Sequence, residues 1–333
     1  MADMITAVSD RFKLIVVPRR TGVPSFADEV TAGLTASPKR LSSKYLYDDV
    51  GSALFDAITR LPEYYLTRAE TEILAQWGWQ IVRLLDGPVD FVELGSGSAA
   101  KTRLLIEEAL RVQGELRYSP IDISTQALRD SSLALVRAHD CLTIQAYAGD
   151  YFDVLQSQAL QFRRRVLAMF MGSNIGNYEP QEGRTLLELL SAALRPGDGL
   201  LLGVDLKKDA ATLERAYDDP AGVTAAFNRN LLSRINRELG GDLDPAKFRH
   251  IAKYDTQRGS VDSFLEAGER MTPHLQRTGL RLAIEQGERI QTEASYKYSD
   301  GEIAGLAAAA GFRAAAVWHD GDHRFSVHLL VRR

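Results

Sequence analysis

The segment Gly311-Phe-Arg-Ala-Ala-Ala-Val-Trp-His-Asp320-Gly-Asp-His-Arg-Phe325-Ser-Val-His-Leu-Leu-Val331 holds two apolar runs around a turn. Phe312 to Trp318 and Phe325 to Val331 read as strands, with Asp320-Gly321-Asp322 between them. Asp300 to Ala310 reads as a helix closed by Gly311. Two strands joined by so short a turn run antiparallel, so a helix and a hairpin end the chain with an antiparallel last strand.

Upstream the rhythm is that of an open parallel sheet. Thr71 to Leu85 reads as an amphipathic helix broken by Asp86-Gly87-Pro88, and Val89 to Leu94 as a strand. Lys101 to Val112 is helical, a run leads to Ile121-Asp122, and Ser124 to His139 is helical again. Leu142–Tyr147 and Leu200–Val204 follow as strands, with Arg165 to Met171 between them as a continuous apolar run. That run is the pattern of a strand buried on both faces. Alternation of this kind predicts α/β architecture. Between Lys207 and Tyr298 the pattern changes: Asp209–Tyr217, Gly222–Leu239 and the start Asp244-Pro-Ala-Lys read as helical. Val261–Arg270 and Leu280–Thr292 then read as strand-like. The expected organisation is a nucleotide-binding-type domain over 71-206 and 297-333, an inserted α+β domain over 207-296, and a segment 1-70, rich in tyrosine over Tyr45–Tyr65, that packs with the insertion.

Composition narrows the partners. The chain has 333 residues and a net charge of −4, from 40 Lys+Arg against 44 Asp+Glu. Arg163-Arg164-Arg165 precedes an apolar run without interleaved aromatics, so no nucleic-acid partner is expected and a small molecule is. No stretch reaches the roughly 18 apolar residues of a membrane span, and the start Met1-Ala-Asp-Met-Ile-Thr lacks a signal-peptide pattern. A cytoplasmic, monomeric protein is expected. The single cysteine, Cys141, is read as a packed thiol, and the six histidines show no metal spacing, so no metal is expected.

Gly95-Ser-Gly-Ser-Ala-Ala100 satisfies GxGxxA after a strand, where glycine lets the backbone turn sharply and approach a ligand. Both NAD and S-adenosylmethionine (SAM) sites use such a loop. Asp122, ending the next strand, suits ribose hydroxyls in either. Asp150 follows the third strand and serves either as a helix N-cap or as an acceptor for the adenine amino group of SAM, with Tyr151 beside the ring. Gly172-Ser-Asn-Ile-Gly-Asn177 follows the buried strand, at the strand ends where open α/β sheets bind ligands. NAD-binding Rossmann domains usually lack an antiparallel closing strand and SAM methyltransferases typically have one. The fold class expected is therefore a class I SAM-dependent methyltransferase, with an NAD-dependent oxidoreductase as the alternative from another class.

Longer segments resemble one family. Tyr45-Leu-Tyr-Asp-Asp-Val-Gly-Ser, Leu61-Pro-Glu-Tyr-Tyr-Leu-Thr-Arg, Glu93-Leu-Gly-Ser-Gly-Ser-Ala-Ala-Lys-Thr and Gly172-Ser-Asn-Ile-Gly-Asn belong to this pattern. So do Ala216-Tyr-Asp-Asp-Pro-Ala-Gly-Val-Thr, Phe227-Asn-Arg-Asn and Thr292-Glu-Ala-Ser-Tyr-Lys-Tyr. Together they resemble the histidine-specific Nα-methyltransferases of ergothioneine biosynthesis, which move three methyl groups from SAM to the α-amine of L-histidine to give hercynine. The resemblance implies that Tyr47, Gly95, Lys101, Asp122, Asp150 and Tyr151 contact SAM. It implies that Tyr64, Gly172, Asn177 and Tyr217 hold the amino and carboxylate end of histidine, with Tyr47 and Asn177 nearest the reaction. It further implies that Glu293 and Ser295 grip the imidazole, and that the inserted segment closes over the substrate.

These residue types suit the chemistry. Methyl transfer needs a neutral amine aligned with the sulfonium, so positioning carries most of the catalysis, and uncharged tyrosine and asparagine orient the amine without adding charge. A glutamate that accepts an imidazole N–H rejects side chains lacking one. At Ser263 the family usually carries methionine. A smaller, polar residue there widens or wets the imidazole end, which keeps another amino acid or a histidine derivative open as the substrate.

Overall fold

The computed structural model describes residues 4–157, 159–160 and 162–333, so the chain start Met1–Asp3 lies outside the described residues. The chain divides into two compact units. The first comprises residues 1–21, 66–206 and 298–333, and the second residues 22–65 and 207–297.

Nine strands of the described residues build the sheet of the first unit. Val89–Leu94 lies at its middle, with Leu116–Asp122 and then Leu142–Ala148 on one side and Arg165–Phe170 and then Gly199–Asp205 on the other. All these neighbours pair in parallel. Phe325–Arg332 then pairs antiparallel with both Gly199–Asp205 and Phe312–His319, as the closing hairpin requires. The core strands are apolar almost throughout because helices shield both faces. Phe91, Ile121, Ala146, Met169 and Leu201, for instance, are inaccessible. After Leu142–Ala148 the chain returns to the other side of Val89–Leu94. Loops leaving the two central strands therefore diverge, and the crevice at such a switch point is where ligands bind in open α/β sheets.

The first residues differ from expectation. Met4–Ser9 and Phe12–Val16 form a hairpin, and Phe12–Val16 pairs in parallel with Leu142–Ala148 on the sheet of the first unit. The hairpin covers a strand edge that would otherwise expose unpaired backbone groups, and it buries Phe12, Leu14 and Ile15. Cys141 is another departure: it is exposed, in the turn ahead of Leu142–Ala148.

In the second unit, Lys39–Arg40, Arg289–Tyr296, Ser260–Ala267 and Phe248–Asp255 form a sheet in that order. The first pairing is parallel and the others antiparallel. Helices Ala210–Tyr217 and Val223–Leu239 pack on its strands. Asp48 explains why residues 22–65 join this unit. Its carboxylate caps helix Asp49–Ile58 by accepting from Gly51 N at 2.8 Å, and it also accepts from Asn230 at 2.7 Å and Arg237 at 2.6 Å. The helix expected from Asp244 is a single 3-10 turn, Pro245–Lys247. After it the burial of Phe248, His250 and Ala252 has period two, and the chain continues as a strand. Leu280–Thr292 likewise splits, into Leu280–Arg281 and Arg289–Tyr296. No helix among the described residues is long and apolar enough to cross a membrane.

Candidate active site

The glycine loop of the first unit leaves the strand Val89–Leu94 with Gly95 at φ 70° and Gly97 at φ 49°, the left-handed region that favours glycine. A Cβ on Gly95 would stand 3.1 Å from Asn174 Nδ2 and 3.8 Å from the Tyr151 ring; one on Gly172 would stand 3.5 Å from Lys101 Nζ. Gly95, Lys101, Tyr151, Gly172 and Asn174 therefore converge, although they come from three different strand ends. Asp122 ties the cluster together: one carboxylate oxygen accepts from Gly97 N and the other from Ser124 N, both at 2.9 Å. Burial raises its pKa, against the pull of these backbone bonds. Asp150 caps helix Tyr151–Gln156, its Oδ1 accepting from Phe152 N at 2.9 Å, while its Oδ2 makes no hydrogen bond among the described residues. Capping and ligand binding are thus compatible in one carboxylate. Tyr151 stands edge-on to Phe170, with ring centroids 5.9 Å apart, and burial holds its phenol well above the usual range. Asn177 ends the 3-10 turn Asn174–Asn177, half-buried, its side chain without a hydrogen bond among the described residues.

Two buried carboxylates fix this cradle from behind. Glu93 accepts from Thr102 Oγ1 at 2.6 Å and from the Tyr118 hydroxyl, and desolvation pushes its carboxyl up to about 7. It anchors the helix that follows the loop. Glu70, fully inaccessible on helix Leu66–Arg83, accepts from Gly172 N at 2.9 and 3.0 Å and from the Lys101 ammonium. Gly203 leaves it room, for a Cβ there would lie 2.0 Å from Glu70 Oε1. Glu70 lies one residue before Thr71, where the sequence pattern starts the helix, whereas the helix begins at Leu66. The signal is visible in retrospect: Leu66, Ala69, Glu70, Ile73 and Leu74 form the buried stripe, and a carboxylate in such a stripe needs built-in partners.

The polar ends of SAM find matching groups in this arrangement. Lys101 offers a cation for the carboxylate, Asp122 an acceptor for ribose hydroxyls, Asp150 an acceptor for an exocyclic amine and Tyr151 an aromatic neighbour. The residues present fit the molecule. No group of three or more His, Cys, Asp or Glu among the described residues is placed to hold a metal ion.

In the second unit, aromatic rings form a chain. Tyr47 contacts Phe55 and Phe227, both at 5.4 Å between centroids; Phe55 contacts Tyr64 at 6.0 Å, and Tyr64 contacts Tyr217 at 6.3 Å. Tyr217 closes helix Ala210–Tyr217, and its hydroxyl is 2.9 Å from Ser295 Oγ. Asp219, just beyond, accepts from Val223 N and Thr224 N at 3.0 and 2.7 Å, so the Asp-Asp-Pro-Ala-Gly segment starts the next helix. Glu293 and Ser295 lie two residues apart on Arg289–Tyr296 and so project to one face. Glu293 keeps some solvent contact but is crowded by protein, and desolvation pushes its carboxyl up to about 7, partly offset by the charge of Lys297. Directly across the ladder from Glu293 is Ser263, inaccessible, its hydroxyl without a hydrogen-bond partner among the described residues. Thus Tyr47, Tyr64, Tyr217, Glu293 and Ser295 lie on the second unit, and Gly95, Lys101, Asp122, Asp150, Tyr151, Gly172 and Asn177 on the first.

A family profile described as "Histidine-specific methyltransferase, SAM-dependent" matches residues 26–332. The chain is 41% identical over 305 residues to the histidine N-alpha-methyltransferase of Mycobacterium tuberculosis, covering 91% of this chain and 94% of that one. It is 42% identical over 306 residues to the histidine N-alpha-methyltransferase of Mycolicibacterium smegmatis, with the same coverage. Ergothioneine biosynthesis protein 1 of Neurospora crassa is 29% identical, covering 89% of this chain and 33% of that protein.

Proposed function

Because the chain belongs to the SAM-dependent, histidine-specific methyltransferases, we propose that it moves three methyl groups from SAM to the α-amine of L-histidine, giving hercynine. The observation that carries the histidine reading is the Glu293/Ser295 pair on one strand face, a recessed acceptor beside a hydroxyl, which suits a ring with an N–H and a second nitrogen. Membership of this family removes the support for an NAD-dependent oxidoreductase.

SAM supplies the methyl group as a sulfonium: the amine nitrogen attacks the methyl carbon, N–C forms as C–S breaks, and S-adenosylhomocysteine leaves. The protein's part is to align the amine and keep it neutral. An α-amine titrates near about 8 in model peptides, so selecting its neutral form costs little. In this reading Tyr47 and Asn177 orient the amine, and Tyr64, Gly172 and Tyr217 hold it together with the carboxylate. The first and second transfers each leave an ammonium that must release a proton to solvent before the next. The neutral amine thus has one N–H fewer each time, and successive intermediates are held increasingly by the carboxylate and the ring, which methylation leaves unchanged.

Incubating the protein with SAM and each of the twenty amino acids separately, followed by mass spectrometry, tests the proposal. Histidine should gain one, two and finally three methyl groups. Methylation of another amino acid with none on histidine would overturn it. A second reading, an N-methyltransferase of another amino acid or of a histidine derivative, is favoured by Ser263, whose hydroxyl, without a hydrogen-bond partner among the described residues, adds polarity opposite Glu293. We further propose that the protein acts as a monomer in the cytoplasm, which light scattering and cell fractionation test.

A further inference from the structure

Beyond the two residues that read the ring, a third group on the same face controls how one of them presents itself. The alternation Glu293, Ser295, Lys297 continues past the last strand residue, because Lys297 N still donates to Gly259 O at 2.7 Å. Lys297 is 1% exposed. Its ammonium donates to the Tyr217 hydroxyl at 2.7 Å and to Ser295 Oγ at 2.9 Å, and it lies 4.5 Å from the centre of the Tyr217 ring. With the 2.9 Å contact between Tyr217 and Ser295, the three groups form a closed triangle.

The hydrogens in this triangle can be assigned. An ammonium has only donors, so both hydroxyl oxygens accept from it. Between the two hydroxyls the phenol is intrinsically the stronger acid, so Tyr217 is assigned as the donor and Ser295 as the acceptor. Ser295 Oγ then receives two donors and both its lone pairs are filled. It has only its own hydrogen left to offer. Two residues along the strand, Glu293 offers only acceptors when ionised.

We propose that Lys297 is a positioning residue that turns Ser295 into an obligate donor, so that this face accepts a ring carrying one N–H and one nitrogen lone pair and rejects a ring without that lone pair. The inference rests on the proposed histidine reading and adds to it the reason that the neutral imidazole is selected. A ring with an N–H but a carbon in place of the second nitrogen would set a C–H against the Ser295 hydrogen. An imidazolium would set a second N–H against it.

Calorimetry with L-histidine and with pyrrolylalanine, which keeps the N–H and replaces the second ring nitrogen by C–H, tests this on the full chain. The wild type should prefer histidine by about tenfold or more, the discrimination expected of one well-placed hydrogen bond. K297M and S295A should each reduce that ratio to about threefold or less, and the double variant should reduce it no further, since the two act as one unit. S-adenosylhomocysteine affinity, read in parallel, should be unchanged and reports that each variant is folded. A ratio that survives in K297M but is lost in S295A would overturn the role of Lys297. If K297M fails to bind S-adenosylhomocysteine, Y217F removes the other donor to Ser295 and must lower the ratio; a ratio that persists there overturns the proposal. Wild type that binds no histidine overturns the substrate reading itself, and this inference with it.

Discussion

The Glu70 carboxylate takes the Gly172 N–H between its two oxygens, at 2.9 and 3.0 Å, while also holding the Lys101 ammonium. One inaccessible side chain thus sets both a backbone turn and a cation proposed to meet the carboxylate of SAM. Truncation in E70A leaves a half-buried N–H and a partly buried cation without their acceptor, and breaking a fully buried pair costs about 3–5 kcal/mol, an upper bound here. We expect a lower unfolding midpoint and at least about a tenfold loss of S-adenosylhomocysteine affinity by calorimetry. Unchanged affinity in a folded E70A would show that the pair serves stability alone.

The two loop glycines should respond differently to alanine. At Gly95 a Cβ meets Asn174 Nδ2 at 3.1 Å, and at Gly97 it meets no protein atom within 4 Å, though both backbones have positive φ. Each substitution carries left-handed strain of about 1–2 kcal/mol. G95A should therefore lose stability through both strain and crowding, whereas G97A should lose stability through strain alone. Ligand affinity that falls further in G97A than the strain explains would place the ligand against Gly97. Thermal melts with and without S-adenosylhomocysteine separate the two effects.

Much of the first unit was legible because its signals are local. The strand Val89–Leu94 has the bounds its sequence suggests, and the closing hairpin is evident from Asp320-Gly321-Asp322 between two apolar runs. The hairpin at Phe12–Val16 was not, since its strands are short and its place depends on a partner, Leu142–Ala148, some 130 residues away in the sequence. Glu293 and Ser295 stand out only through the family resemblance; period two adds that they share one face, which a surface glutamate would satisfy equally. Lys297 and Glu70 do not: a lysine beside a strand and a glutamate at the start of a helix are ordinary surface residues until tertiary packing buries them. Their partners, Tyr217 for the one and Gly172 for the other, are joined by nothing in the sequence that spacing could reveal.

The raised pKa of Glu293 gives a direction for the pH dependence. With its carboxyl at about 7, a large share of molecules is protonated at pH 6, and a neutral carboxyl accepts an imidazole N–H more weakly than a carboxylate does. The neutral ring is also depleted below about 6.5. Deprotonation of both partners therefore favours binding, and kcat/KM for histidine should climb as pH rises through about 7. E293Q should show a lower plateau and lose the Glu293 contribution to the limb near about 7, leaving only the titrations of the ligand's ring and α-amine. A pH profile that E293Q leaves in place would remove Glu293 from ring binding.

Ser263 makes the last prediction, and it turns on an unpaid hydrogen bond. Its hydroxyl is inaccessible and has no hydrogen-bond partner among the described residues, across the ladder from Glu293, while its backbone carbonyl accepts from Thr292 Oγ1 at 3.2 Å. An unsatisfied buried hydroxyl costs about 1–3 kcal/mol. Replacing it with alanine removes that cost and opens little space, so S263A should unfold at the same or a higher temperature than the wild type. If the hydroxyl is kept for the substrate or for a water that comes with it, histidine affinity should fall in S263A while S-adenosylhomocysteine affinity stays constant. S263M makes the complementary test: a longer apolar side chain extends over the face that Ser263 shares with Glu293 and should disfavour ring-substituted histidines relative to histidine. Equal relative rates on histidine and its ring-substituted derivatives in S263M and wild type would show that position 263 does not border the ring.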